Sequence, residues 1–478
     1  MLINFKKRAF CPNPILLGLS TPTYGSPLLG KREERRASPS LLTVSFRESA
    51  GPPACKSPST LDPLYEDWRA IDTSRGPNCF KTGRWLYRAA ADCSYIIQAL
   101  SVRRDINLDQ LLRWLRDIPA SAGVPTKRFM LSFRRPDEYH SFLHACEGTS
   151  PALELTPIPL IQSLSLLLPK KAELPPLPEG ITVEKDSLIY MNAAGLPKAM
   201  PEKGLPWGVQ QIRAPLAWNR TTGHRIKIGV IDTGIDHSHP DLKSSLGRGI
   251  NLVDRTQLPH DDNGHGTHIA GTIAAANQPT GMIGVAPRSI VYAVKAFDQN
   301  GSAFVSDIIL GIEWCVRSGM NIINMSFGMK SRSKSLHTAC INATNAGVII
   351  IASSGNDGRR RSIDYPARYP QTISVGATNR MRRIASFSNR GPYIDIYAPG
   401  DHIHSAWLKG KYHEMSGTSM ATSHVSGAVA LLLAHQPGLG PAEIKVILKR
   451  SMVPLRGAKD KLAPGELDVP KMMKAAEA

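Results

Sequence analysis

Apolar and polar positions show no period over residues 20–60, where Pro, Ser, Gly and Arg crowd together and the chain reads as a tail or linker. Ahead of it, Lys6-Lys7-Arg8 and the apolar Ile15 to Leu19 have the outline of an export leader. Pro12 and Pro14 break that run, and no small-x-small cleavage site follows. A helical period then emerges between Leu61 and Ile118, clearest at Leu108, Leu111, Leu112 and Leu115, with Arg113, Trp114 and Arg116 on the other faces. Ordinary amphipathic packing is the plainer reading of this helix, and a membrane surface is the alternative.

Between Lys127 and Asn192 the pattern changes. It predicts a strand over Arg128–Phe133, a helix over Pro136–Cys146, two strands within Leu153–Leu168 and a strand over Thr182–Tyr190. That order suggests a small ferredoxin-like α+β module whose second helix is interrupted by Pro175, Pro176 and Pro178. From Ile226 onward, near-continuous apolar runs alternate with helical stretches. Strands are predicted at Ile226–Asp232, Ile290–Phe297, Ile322–Ser326, Val348–Ser353, Thr372–Val375 and Ile394–Tyr397, with helices such as Val305–Cys315 and Leu336–Asn345 between them. Such runs indicate an α/β fold: a mostly parallel sheet with helices on both faces, its ligand crevice beyond the carboxyl ends of the strands. The expected divisions are 1–126, a tail and helical segment; 127–192, the small module; 193–204, a linker; and 205–478, the large domain.

Composition narrows the function classes. The 478 residues leave room for roughly two to four domains. No run of about 20 apolar residues is present, so no membrane-spanning helix is expected. Lys and Arg exceed Asp and Glu by 58 to 39, a net charge of +19. That surplus suits an anionic partner, but no aromatic stripe interleaves it and no nucleic-acid motif accompanies it. Seven cysteines, an odd number without C-x-x-C spacing, support neither a zinc site nor a complete disulfide framework, and read as small core residues.

Three stretches carry chemistry. Asp232 ends an apolar strand and is followed by Thr233-Gly234; alone, such an Asp is more often a turn or cap residue. His265 and His268 lie in Asn263-Gly264-His265-Gly266-Thr267-His268, where His265 would stand in the first turn of a helix. Spacing i, i+3 admits zinc, but no third ligand lies nearby. Ser419 follows Gly417-Thr418 at the start of an apolar helix, where free N–H groups stabilise an oxyanion; a lone Ser there is otherwise a cap. Together, a carboxylate, an imidazole and a hydroxyl form the set needed to activate a serine nucleophile.

With these blocks in the order Asp, His, Ser, residues Leu205 to Val469 resemble the subtilisin-like serine proteases. The resemblance implies an endopeptidase with Asp232, His265 and Ser419 as its triad, and Asn356, in Ser354-Gly355-Asn356-Asp357-Gly358, as oxyanion donor. It implies that Ser326, Phe327 and Gly328 pair with substrate backbone, and that Asp364 lies at the base of the P1 pocket with Asp357 near its rim. A carboxylate there would favour a P1 Lys or Arg unless Arg359-Arg360-Arg361 neutralises it. Calcium is implied at Asp241 and Asn277, although Lys203 stands where an amide ligand is expected. No redox or nucleotide cofactor is implied. The family normally has Pro where this chain has Ser423, and Met420 beside Ser419 would be open to oxidation. The 127–192 module resembles the family's propeptide, an intramolecular inhibitor removed by self-cleavage; Asn192 suits the register and Lys198 the chemistry. The expectation is a secreted monomer acting on polypeptides, and its rival is a catalytically silent, peptide-binding relative.

Overall fold

The computed structural model describes residues 106–118, 126–146, 155–191, 194–198, 204–276, 280–457 and 464–477. The leader-like start, the tail, Asn192, Lys203 and Asn277 lie outside the described residues. All the described residues belong to one unit, Gly83–Ala478.

Its first layer is a four-stranded antiparallel sheet. The elements are α1 (Ile106–Asp117), β1 (Thr126–Phe133), α2 (Pro136–Cys146), β2 (Leu155–Ile158), β3 (Ser163–Pro169) and β4 (Ile181–Lys185), and the strand order is β2-β3-β1-β4. Leu131 faces Leu164 on one side and Val183 on the other, which fixes the register. Leu131, Phe133, Leu164, Leu166 and Leu168 form one buried face with Tyr139 and Phe142 of α2. No helix forms between β3 and β4, where Pro175, Pro176 and Pro178 deny it N–H donors. The cover comes from α1 instead: Leu111, Leu112 and Leu115 join the same core. The helix assigned above to the 1–126 segment therefore packs on this sheet. The opposite face sends Met130, with Ile158 and Ile161 beside it, into the core of the large body.

That body is built on seven strands. They are β7 (Lys227–Asp232), β8 (Leu246–Asn251), β9 (Ile290–Lys295), β11 (Ile322–Met325), β12 (Ile349–Ser353), β13 (Thr372–Thr378) and β14 (Ile396–Pro399), ordered β14-β13-β12-β11-β7-β9-β8 and all parallel. The strands predicted from apolar runs are all present, with ends shifted by a few residues. β8 escaped detection because it is a half-exposed edge strand with Gly247 and Gly249 inside it. One face is covered by the short α3 (Trp207–Gln211), α4 (His265–Ala274) and α7 (Thr418–His435), the other by α5 (Val305–Arg317) and α6 (Lys334–Asn345). α7 is buried on every side from Thr418 to Leu433, with the hydroxyls of Thr422, Ser423 and Ser426 hydrogen-bonded within that core. The order in which the chain adds strands switches sides between β7 and β11, and the crevice opens at the carboxyl ends of those two parallel strands.

Four short strands complete the site's surroundings: β5 (Leu188–Tyr190), antiparallel to β10 (Ser302–Phe304), and β6 (Ala194–Lys198), antiparallel to β15 (Lys411–Ser416). Cys315 and Cys340 are buried thiols in the core beneath α5 and α6. Leu111 is fully buried, so Leu111→Ala should cost about 2–5 kcal/mol in the module's unfolding. Denaturant titration of full-length Ser419→Ala with and without the substitution measures it; an unchanged midpoint would remove α1 from this core.

Candidate active site

Asp232 is the last residue of β7, at the crevice, and its side chain is fully buried. The following turn approaches α4 so closely that a Cβ on Gly266 would lie 2.1 Å from the Gly234 carbonyl oxygen. Gly264, immediately before α4, has φ +109°, and a Cβ there would strike the Trp407 ring at 2.3 Å. Gly266 lets the first turn of α4 lie against the β7 turn, and Gly264 lets it pass the Trp407 ring. The result is the contact sought: His265 Nδ1 is 2.8 and 3.0 Å from the two Asp232 carboxylate oxygens.

Asp261, which the sequence reading passed over, joins the two pieces. Its carboxylate accepts hydrogen bonds from the Gly264 and Thr267 N–H groups at 2.9 Å each, from the Thr267 hydroxyl at 2.6 Å and from the Thr233 hydroxyl at 2.8 Å. It caps the start of α4 and anchors the Asp232 turn at once. Its signal was an Asp six residues before Thr267, a spacing too wide for a standard capping box. Lys295, at the end of β9, is also buried and donates to the Thr233 carbonyl and to Asp262, each at 2.7 Å.

Burial works against protonation of His265, but the Asp232 charge and hydrogen bond, with Asp261 behind, outweigh it and raise the imidazole pKa above its usual 6.5. Its Nε2 is buried and has no hydrogen-bond partner among the described residues. His268 is a structural histidine. Its Nε2 lies 3.0 and 3.1 Å from the Ile403 and His413 carbonyls, and burial depresses its pKa to about 3. No group of three or more His, Cys, Asp or Glu side chains suited to a metal occurs among the described residues.

Ser419 lies at the start of α7, and its hydroxyl donates to the Ser326 carbonyl at 2.8 Å. Asn356 is held from behind: its side-chain oxygen accepts from the Thr418 N–H at 2.9 Å and the Thr418 hydroxyl at 2.8 Å. That fixes the amide plane, with Nδ2 3.3 Å from where a Cβ on Gly417 would be. Ser423 donates its hydroxyl to the Met420 carbonyl at 2.7 Å within an unbroken α7, and Met420 is buried. Asp232, His265 and Ser419 are 0%, 2% and 3% exposed.

The model for the subtilase family matches residues 223–468. The chain belongs to the subtilase family. An alkaline protease of Alkalihalobacillus alcalophilus is 36% identical over 345 residues, covering 71% of this chain and 89% of that protein. A subtilisin of Bacillus pumilus is 44% identical over 248 residues, 51% of this chain and 90% of its own. Subtilisin E of Bacillus subtilis (strain 168) is 41% identical over 292 residues, 60% and 74% respectively. This subtilase is a serine endopeptidase.

Two expectations meet the geometry differently. The cation paired with Asp364 is Lys330, whose Nζ is 2.8 Å from it, and not the Arg359-Arg360-Arg361 run. Asp241, the expected calcium ligand, has Oδ2 engaged by the Met282 N–H at 2.9 Å and the Tyr412 hydroxyl at 2.7 Å. Its partner in the implied site, Asn277, lies outside the described residues, and calcium is given no role in the chemistry below.

In full-length Ser419→Ala, the His265 ring should titrate in NMR with a midpoint above 6.5. Asp232→Asn removes the opposing charge and should bring the midpoint below that of the parent. An unchanged midpoint would mean that Asp232 does not control the imidazole.

Proposed function

We propose that this subtilase hydrolyses peptide bonds through Ser419, His265, Asp232 and Asn356, and that it is made as a self-processed zymogen. The contact of His265 Nδ1 with Asp232 carries the reading: it fixes the tautomer that leaves Nε2 as the base. A turn of the Ser419 side chain away from the Ser326 carbonyl directs its hydroxyl to that nitrogen. The oxygen attacks the substrate carbonyl while His265 takes the proton, and Asp232 stabilises the imidazolium. The negative charge formed on the carbonyl oxygen is met by the Asn356 amide and the Ser419 N–H at the positive end of α7. His265 then protonates the leaving amine, and water releases the acyl group by the same steps reversed.

Substrate backbone would pair with Ser326, Phe327 and Gly328. The chain's own segment already does so: Tyr190 forms an antiparallel bridge with Gly328, between β5 and the body. Downstream, Ala194 is opposite Ser416, three residues before Ser419. A cleavage point after Asn192, between β5 and β6, suits these pairings. Lys198 lies further along β6, opposite Glu414.

The module reads as a tethered inhibitor because its carboxylates finish helices of the body. Glu184 accepts from the Ser335 N–H at 3.0 Å and its hydroxyl at 2.9 Å, at the start of α6. Asp186 accepts from the Ser306 N–H at 3.1 Å and hydroxyl at 2.6 Å, at the start of α5. Arg128 pairs with Asp307 at 3.2 Å. The reading implies an enzyme that works outside the cell after release of this segment.

Expression of the wild-type chain should yield a product beginning at Ala193, while Ser419→Ala remains at 52.1 kDa; intact mass and N-terminal sequencing check both. Cleavage persisting in Ser419→Ala alone in vitro would end the proposal. Asn356→Leu should process and lower kcat by about 10²–10³ with little change in KM.

A further inference from the structure

We propose that Lys330 sets the P1 preference of this subtilase by occupying Asp364, the carboxylate that a substrate Lys or Arg would otherwise reach. The inference rests on the cleft reading above and names the substrate class that the cleft takes: an uncharged P1 side chain.

The placement of Lys330 is enforced by the backbone. Met329 and Tyr365 exchange both hydrogen bonds, at 2.8 and 2.9 Å, so the residues beside them, Lys330 and Asp364, are brought together across two strands. Lys330 Nζ lies 2.8 and 3.1 Å from the two Asp364 oxygens and also binds Asp357. The Asp364 side chain is 1% exposed and the Lys330 side chain 53%, so the lysine closes a buried acid from the solvent side.

Asp364 is pressed against the substrate-pairing edge. A Cβ on Gly328 would lie 2.7 Å from the Asp364 Cβ, and one on Gly355 would lie 2.5 Å from Oδ2. Gly328 is also the residue opposite Tyr190, so the carboxylate sits directly beneath backbone that receives the peptide. Burial raises the Asp364 pKa and Lys330 opposes that rise. Lys330 is the first cause of the depressed pKa of Asp357, and Arg359 adds to it. With Lys330 in place, a P1 cation meets a like charge and an acid already satisfied. The residue before the proposed self-cleavage point, Asn192, is uncharged, which agrees with a compensated pocket.

The test uses the processed enzyme and two peptide anilides that differ only in P1, Lys against Phe. The wild type should cleave the Phe peptide at least as well as the Lys peptide. Lys330→Met keeps the alkyl chain, exposes the acid, and should raise the Lys:Phe ratio of kcat/KM by about tenfold or more. Lys330→Arg should hold the ratio near the wild-type value, and Asp364→Asn added to Lys330→Met should abolish the gain. A ratio unchanged within about twofold in active Lys330→Met would overturn the proposal. So would a wild type that already prefers Lys by about tenfold, a measurement that needs no variant. If the wild type cleaves neither peptide nor itself, the underlying reading fails instead, and this inference with it.

Discussion

The close approach of the first turn of α4 to the turn after β7 is the constraint on which the site depends. Asp232 and His265 are 33 residues apart and belong to different layers of the fold. Only the missing side chain of Gly266 lets their backbones come near enough for the imidazole to reach the carboxylate. Asp261 then converts proximity into rigidity, because one carboxylate accepts from both pieces. Stripping Asp261 of its charge would loosen both ends of the same contact, so its energetic role cannot be divided between helix capping and site geometry.

A parallel arrangement operates on the other wall. Thr418 binds the Asn356 oxygen through both its N–H and its hydroxyl, and the Gly355 N–H in turn donates to that hydroxyl at 3.2 Å. The start of α7 and the loop after β12 are thereby fixed to each other before any substrate arrives. Both walls use the same economy: a short polar side chain at a helix start ties down the loop from the neighbouring strand. Charge that develops in the crevice meets dipoles already oriented, and no reorganisation is required at that moment.

Much of this was legible in sequence where the signal is local or repeats along a buried strand. The helix Pro136–Cys146 matches its expected bounds, and the parallel strands announce themselves as Ile/Val runs buried on both faces. What could not be read depends on partners distant in the chain. α1 has an apolar face, but nothing in it states that the face covers a sheet whose own second helix was lost to proline. β5 and β6 are three and five residues long and exist only through strands more than a hundred residues away. Asp364 was visible as an acid in a pocket; its partner Lys330, 34 residues earlier, was not, because a charge run at Arg359 to Arg361 offered a nearer cation.

The same dependence on distant partners bears on how the segment would be released under the proposed processing. α5 begins after Phe304, whose side chain cannot cap, so its first N–H groups need an acceptor from elsewhere. Asp186 supplies it, and Glu184 does the same for α6, which has only Ser333 of its own. These carboxylates hold the module to the body by completing helices, Met130, Ile158 and Ile161 add apolar packing, and β5 is held by backbone pairing and by the buried Ile189. The grip is thus distributed over helix ends and apolar packing. A cut after Asn192 breaks the covalent link without touching any of those contacts, so the module would leave the body by dissociation, on a timescale set by its surface and not by the chemistry at the serine.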